Sequence, residues 1–152
     1  MTLQQILGKI DNFNPTEEME DYELTVFFDE KGEELPELED LKEEEKKSII
    51  QALFNFLKRQ PADFNEDWSF IHLIEAIDNP TYEIYDKELL KNNKDNCSLT
   101  SLILLNRYIN ALTGEEKEKR IQLMKEIGEN EELSERIREE ANENYKWQRG
   151  IS

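Results

Sequence analysis

Apolar residues recur at three- and four-residue intervals along most of this chain, which is the spacing of one face of a helix. At the start of the sequence, Leu3, Ile6, Leu7 and Ile10 form such a face. The same pattern, interrupted by proline, glycine and asparagine, predicts eight helices over about residues 3–12, 16–29, 40–59, 66–78, 82–91, 98–112, 114–127 and 134–147.

Residues that cap or break helices mark the ends of these segments. Thr16, Asn65 and Ser134 precede the second, fourth and eighth helices, where their side chains can accept hydrogen bonds from free backbone amides. Either Ser98 or Thr100 opens the sixth helix. Prolines interrupt the helical pattern at positions 15, 61 and 80. Because proline lacks a backbone N–H, each of them predicts a break between helices.

Two stretches of the N-terminal part allow less regular structure. Residues 24–28, Leu-Thr-Val-Phe-Phe, are rich in strand-forming types, so a short strand is the alternative to helix there. Residues 31–36 are polar and contain Gly32 and Pro36, which predicts a connection between the second and third helices.

The sixth helix is apolar almost all round, a pattern typical of a central helix that is covered on several sides. Short connections favour antiparallel neighbours. We therefore predict an all-α fold of about eight helices in antiparallel pairs, with α-solenoid-like (HEAT-like) stacking. It is expected to form a single helical domain over residues 1–152, with an acidic N-terminal third over residues 11–45.

Negative charge is concentrated in that N-terminal third. The chain has 36 acidic and 19 basic residues, a formal charge of −17. Residues 11–45 hold 16 of the acids and only two bases, Lys31 and Lys42, which leaves a net of −3 for the rest. A surface of this sign repels phosphate, so nucleic acid and anionic membranes are excluded as direct partners.

Aromatic residues and leucines are interleaved with these acids, so the block can be a binding surface for a basic partner or a charged flank that only keeps the protein in solution. The candidate partner-binding residues are Glu17, Glu18, Glu20, Asp21, Tyr22, Glu23, Phe28, Asp29, Glu30, Glu33 and Glu34.

Catalytic and metal-binding patterns are not found. The single histidine, His72, shares a helix face with Trp68 and Glu75, and we expect a partly buried core histidine there rather than a general base or metal ligand. Residues 63–68 begin like a calcium loop but lack its glycine and its final glutamate. With no phosphate loop and no nucleophile elbow, the chain is expected to have no enzymatic activity, cofactor or metal.

The compartment is expected to be the cytoplasm. Cys97 is the only cysteine, which fits a reducing environment, and its thiol is expected to be buried or half-buried. The first ten residues lack the apolar stretch of a signal peptide, and no run approaches the length of a membrane span.

Four segments carry a resemblance to a known family. They are Trp-Ser-Phe-Ile-His-Leu-Ile-Glu at residues 68–75, the helix at 82–90, Leu-Leu-Asn-Arg-Tyr-Ile-Asn at 104–110, and the helix at 112–127. In this order they resemble the all-helical immunity protein 30 family of bacterial polymorphic toxin systems.

The resemblance implies a cytoplasmic inhibitor that binds the toxin domain of a co-produced effector, without catalysis or cofactor. The family-like positions are Trp68, His72, Glu75, Asn106, Arg107 and Asn110. Most are expected to be architectural, with the polar groups at 106, 107 and 110 joining adjacent helices. A buried Arg107 would need a carboxylate, for which Glu75 is the candidate.

Our leading hypothesis is a non-enzymatic immunity protein that binds a cognate toxin with a basic surface, such as a nuclease, and neutralises it by occlusion. The alternative is a helical-repeat scaffold or regulatory adaptor that binds a cellular protein or peptide. A third hypothesis is DNA mimicry, with carboxylates spaced like phosphates. The oligomeric state is left open.

Overall fold

The computed structural model describes residues 1–16, 18–64 and 67–151. Within these ranges the chain forms eight α-helices and no strand, which confirms the predicted all-α class. The helices are α1 Leu3–Asp11, α2 Asp21–Glu34, α3 Glu43–Lys58, α4 Trp68–Ala76, α5 Glu83–Asp95, α6 Leu99–Asn110, α7 Gly114–Glu129 and α8 Glu135–Arg149, with a short 3-10 helix at Leu38–Asp40. Solenoid-like stacking stays a prediction.

None of the described helices has both the length and the apolar character needed to cross a membrane.

Side-chain caps account for where several helices begin. The Ser134 hydroxyl accepts from the Ile137 amide at 3.3 Å at the start of α8, as predicted. Of the two candidates for α6, Ser98 is the cap, since its hydroxyl accepts from the Ser101 amide at 3.1 Å. For α4 the cap is Asp67; the predicted Asn65, with Glu66, lies outside the described residues.

The position of α2 differs from the prediction at both ends. It begins at Asp21, so the prediction that Thr16 caps it is wrong. The Glu23 carboxylate accepts from the Glu20 amide at 3.0 Å and satisfies the helix start there. The strand alternative at residues 24–28 is also wrong, because these residues lie inside the helix.

The predicted connection at residues 31–36 is helical as far as Glu34. Lys31 is buried and its ammonium bonds the Glu34 carboxylate at 2.9 Å, while it lies 4.9 Å from the centre of the Phe27 ring. Lys31 therefore lies on the buried face of α2, with its stem packed among apolar side chains and its ammonium paired. The helix α5 is likewise longer than predicted and ends at Asp95. Asn92 and Asn93, which lie in its added C-terminal part, are buried polar residues.

The chain divides into two compact units. The first combines Met1–Gln60 with Glu66–Lys91, and the second combines Pro61–Asn65 with Asn92–Ser152. The predicted single domain over residues 1–152 stays a prediction.

A cluster of phenylalanines forms the core of the first unit. The Phe28 ring of α2 lies edge-on to Phe56 of α3 at 5.0 Å and to Phe70 of α4 at 5.1 Å. Phe13 and Phe27 stack with ring centres 3.7 Å apart. These contacts hold α2, α3 and α4 around one buried ring, Phe28.

Arg59 connects the end of α3 to the end of α1. Its guanidinium donates to the carbonyls of Ile10 at 2.9 Å and Phe13 at 3.2 Å, and to the Asn14 side chain at 3.1 Å. Carbonyls at a helix C-terminus have no partner within the helix, so one planar cation satisfies several acceptors.

In the second unit α6 packs against α7 and α8, which also pack against each other. Leu102, Leu104 and Leu105 of α6 are fully buried. The Asn142 side chain of α8 donates to the Gly128 carbonyl of α7 at 3.4 Å, and a Cβ on Gly128 would collide with that side chain. The glycine therefore allows these two helices to approach closely.

Candidate functional site

The exposed side of α2 carries acidic residues mixed with large apolar ones. Tyr22 is 65% exposed and Val26 is 47% exposed. Asp29 and Glu33 are also exposed, and the four residues recur at helical spacing, which places them on one face. We call this set the α2 face. It presents carboxylates beside apolar side chains to the surroundings.

Several other predicted partner-binding residues are also exposed: Glu18, Glu20, Asp21 and Glu30. Glu23 is half-buried and bonds the start of its own helix. Glu17 lies outside the described residues.

Two of the predicted contact residues are engaged inside the fold. Phe28 is 1% exposed, so the prediction that it contacts a partner is wrong; its ring belongs to the phenylalanine core. Glu34 is half-buried and pairs with Lys31 at 2.9 Å. The hydrogen bond from Lys31 lowers the pKa of the Glu34 carboxyl. The Glu34 carboxylate is thus engaged by a contact within the helix.

A groove of about 570 Å³ lies between α2 and α4. Its lining residues are Phe28, Asp29, Gly32 and Glu33 from α2, and Trp68, Ser69, His72 and Leu73 from α4. The groove brings part of the acidic segment together with two of the family-like residues, Trp68 and His72. We call it the α2–α4 groove.

One carboxylate positions α4 beside α2. Asp67 is buried; one of its oxygens accepts from the Phe70 amide at 2.9 Å and caps α4. The other accepts from the Thr25 hydroxyl of α2, also at 2.9 Å. Asp67 therefore starts α4 and attaches its first turn to α2, so that Trp68 stands at the rim of the groove.

Trp68 and His72 lie on the outer side of α4. Trp68 is 49% exposed, and the two rings meet edge-on with centres 5.9 Å apart. His72 is exposed, so the expectation of a partly buried core histidine is wrong. The reason is helical spacing: Phe70, Ile71 and Ile74 occupy the inner side of this short helix and leave positions 68 and 72 outside.

The charge of the α2–α4 groove favours a cation. Asp29 and Glu33 are the acids among its eight described lining residues, and none of these eight is lysine or arginine. Carboxylates beside an exposed indole attract positive charge through both Coulomb attraction and the ring quadrupole.

Two of the family-like residues of α6 form hydrogen bonds with a neighbouring helix. The Gln148 amide of α8 donates to the side chains of Asn106 at 2.8 Å and Asn110 at 3.0 Å, and so joins α6 to α8 as expected. Arg107 is exposed. Its predicted pairing with Glu75 stays a prediction.

No metal centre or reactive thiol is found in the part of the chain that the structure describes. Its histidine, cysteine, aspartate and glutamate side chains form no group that could hold a metal ion. Cys97 is buried, as expected, and burial raises the pKa of its thiol to about 11. The thiol is therefore protonated at neutral pH and is a poor nucleophile.

Comparison of the chain with protein-family models, with curated proteins and with solved structures finds no match. The candidate functional features of this chain are the α2 face and the α2–α4 groove.

Proposed function

We propose that this chain is a non-enzymatic immunity protein that binds a cognate toxin domain with a basic surface and neutralises it by occlusion. The observation that carries the proposal is the α2 face, on which Asp29 and Glu33 stand beside exposed Tyr22 and Val26. A toxin that acts on nucleic acid has a basic surface of its own, because it must attract phosphate.

The distribution of charge between the two units supports a directed approach of such a partner. The first unit has 23 acidic and 9 basic residues, a net of −14, and the second has 13 and 10, a net of −3. Charge on one side of a protein accelerates association with an oppositely charged surface and makes the rate depend on salt. We therefore assign the contact with the toxin to the first unit.

The apolar residues of the α2 face supply the contact that follows this encounter. Large aromatic side chains that become buried at the centre of an interface contribute most of its binding free energy. Tyr22 has the exposure needed for that role, Val26 adds a smaller apolar contact beside it, and neighbouring carboxylates orient the partner around them.

The test uses the protein encoded in the adjoining gene. We expect the two proteins to purify as a complex, and expression of this chain to prevent the growth arrest that the partner causes. Absence of both the complex and the protection would refute the proposal.

Charge-neutralising variants test the assignment of the toxin contact to the first unit. The triple variant Glu18→Gln, Asp21→Asn, Glu30→Gln removes exposed carboxylates of the first unit that do not line the groove. Its rate of association with the toxin is expected to fall by about tenfold or more at low salt. The decrease should be smaller at physiological salt, where exposed charges are screened.

The matched control is Glu131→Gln, Glu132→Gln, Glu139→Gln, which removes three exposed carboxylates from the second unit. Its association rate should change much less. Equal effects of the two triple variants would show that net charge alone matters and would contradict the assignment of the binding surface to the first unit.

A further inference from the structure

We propose that the α2–α4 groove receives one arginine side chain of the toxin, with Trp68 as the stacking surface and Asp29 and Glu33 as the charged partners. This inference rests on the function proposed above and specifies the group that the inhibitor grips.

The α2–α4 groove is a broad, open depression of about 570 Å³, in which Leu73 provides apolar surface. Gly32 adds no side chain beside it. A Cβ at this position would meet only Leu73 Cδ1, at an ordinary contact distance of 3.6 Å, so packing does not require glycine here. Its effect is to leave the groove open.

The two carboxylates are arranged to meet one cation. Asp29 and Glu33 are four residues apart on α2 and therefore project from the same side of the helix. The lysine of this helix, Lys31, faces inward and bonds Glu34, so it is not available to neutralise them. Among the described lining residues no cation balances these two carboxylates, which suits the groove to a cationic group of a partner.

The indole of Trp68 makes arginine the better match among cationic side chains. A guanidinium is planar, so it can stack on an aromatic face and at the same time donate to two acceptors at its edge. An ammonium is more strongly hydrated and offers no flat surface. The edge-on contact with His72 restrains the indole on one side, which reduces the ordering required when a cation binds.

The test uses three short blocked peptides, Gly-X-Gly, in which X is arginine, lysine or the neutral isostere citrulline. Binding is followed on the ¹⁵N-labelled full chain through its two tryptophan indole N–H signals, which the Trp147→Phe variant assigns. Trp147 is exposed in the second unit and serves as an internal control. We expect saturable shifts of the Trp68 signal in the order arginine, lysine, citrulline, and no such shift for Trp147.

Two variants and one control test the assignment of residues. Asp29→Asn with Glu33→Gln should weaken arginine-peptide binding by about threefold to tenfold, the effect expected for two exposed ion pairs. Gly32→Gln should abolish it by filling the groove. Gly8→Gln places the same side chain where a Cβ meets nothing within 4 Å, and it should bind like the unmodified chain.

Three results would overturn the inference: equal shifts with arginine and citrulline, no change in the Gly32→Gln variant, or movement of the Trp147 signal alone. Failure here remains distinguishable from failure of the proposed function. A chain that ignores the arginine peptide but still protects cells and forms the complex would retain the function without this anchor. If it binds the peptide but forms no complex and gives no protection, the groove is right and the toxin proposal is wrong.

Discussion

The attachment of α4 to α2 through Asp67 can be measured by removing its two hydrogen bonds separately. Asp67→Ala removes both the cap of α4 and the bond to the Thr25 hydroxyl. Asp67→Ser keeps a capping oxygen but is too short to reach Thr25. Thr25→Ala keeps the cap of α4 and removes the bond between the helices, together with the long 3.5 Å contact from the same hydroxyl to the Asp21 carbonyl. The double variant Thr25→Ala, Asp67→Ala completes a thermodynamic cycle.

The geometry sets the size of each effect. Loss of an N-terminal cap costs about 1 kcal/mol of unfolding free energy. The bond to Thr25 joins a buried carboxylate to a hydroxyl at 2.9 Å, and its net contribution is about 1 kcal/mol. Asp67→Ala should therefore cost about 2 kcal/mol, while Thr25→Ala and Asp67→Ser should each cost about 1 kcal/mol. The coupling energy of the cycle should be about 1 kcal/mol.

Urea unfolding measures these values, with circular dichroism as the global signal. Trp68 fluorescence in a Trp147→Phe background reports on the start of α4 itself. The control cycle pairs Thr25→Ala with Ser134→Ala, which removes the corresponding cap of α8. A coupling energy below about 0.5 kcal/mol in the Asp67 cycle, as in the control, would refute the connection between the two helices.

Three further predictions concern the packing of each unit. Phe28→Ala should lower the unfolding free energy by about 3–5 kcal/mol and Phe28→Leu by clearly less, because the ring lies at the centre of the phenylalanine core. Gly128→Ala should lower the unfolding free energy in urea by about 1–3 kcal/mol, because its Cβ would collide with the Asn142 side chain, and this loss should shrink in an Asn142→Ala background. Because the pKa of Glu34 is lowered by Lys31, the pair stabilises the fold above the ordinary value of 4.5 and loses its effect as pH falls through the lowered pKa. The stability deficit of Glu34→Gln in urea unfolding should accordingly be present at neutral pH and shrink as pH falls below 4.5 through the lowered pKa, and a constant deficit would contradict this.

Local patterns in the sequence are sufficient for the fold class and for most helix positions. Caps at Ser98 and Ser134 and the apolar periodicity of α6 are short-range signals, and the helices follow them. The end of α2 could not be predicted in this way. Lys31 is read as a surface residue in any local pattern, yet packing over Phe27 and pairing with Glu34 turn it inward.

The candidate site depends on contacts between residues that are distant in sequence. The acidic segment and Trp68 could each be recognised from the sequence, but their convergence follows from α2 packing on α4, held by the bond between Thr25 and Asp67. Interleaving of aromatic residues with acids predicts Phe28 as a contact residue, and only the helix register places its ring inside. Helical spacing, with Phe70 and Ile71 inward, could have indicated that His72 is exposed.

The glycine at position 32 gives the α2–α4 groove a particular evolutionary freedom. Since a Cβ there would make only an ordinary contact with Leu73, the groove can be narrowed in small steps without rebuilding the phenylalanine core. Substitution at this one position would therefore change the shape of the groove with little effect on folding. Under the proposed arginine recognition, a lineage whose partner replaces its anchoring side chain could follow that change by substitution at a single codon.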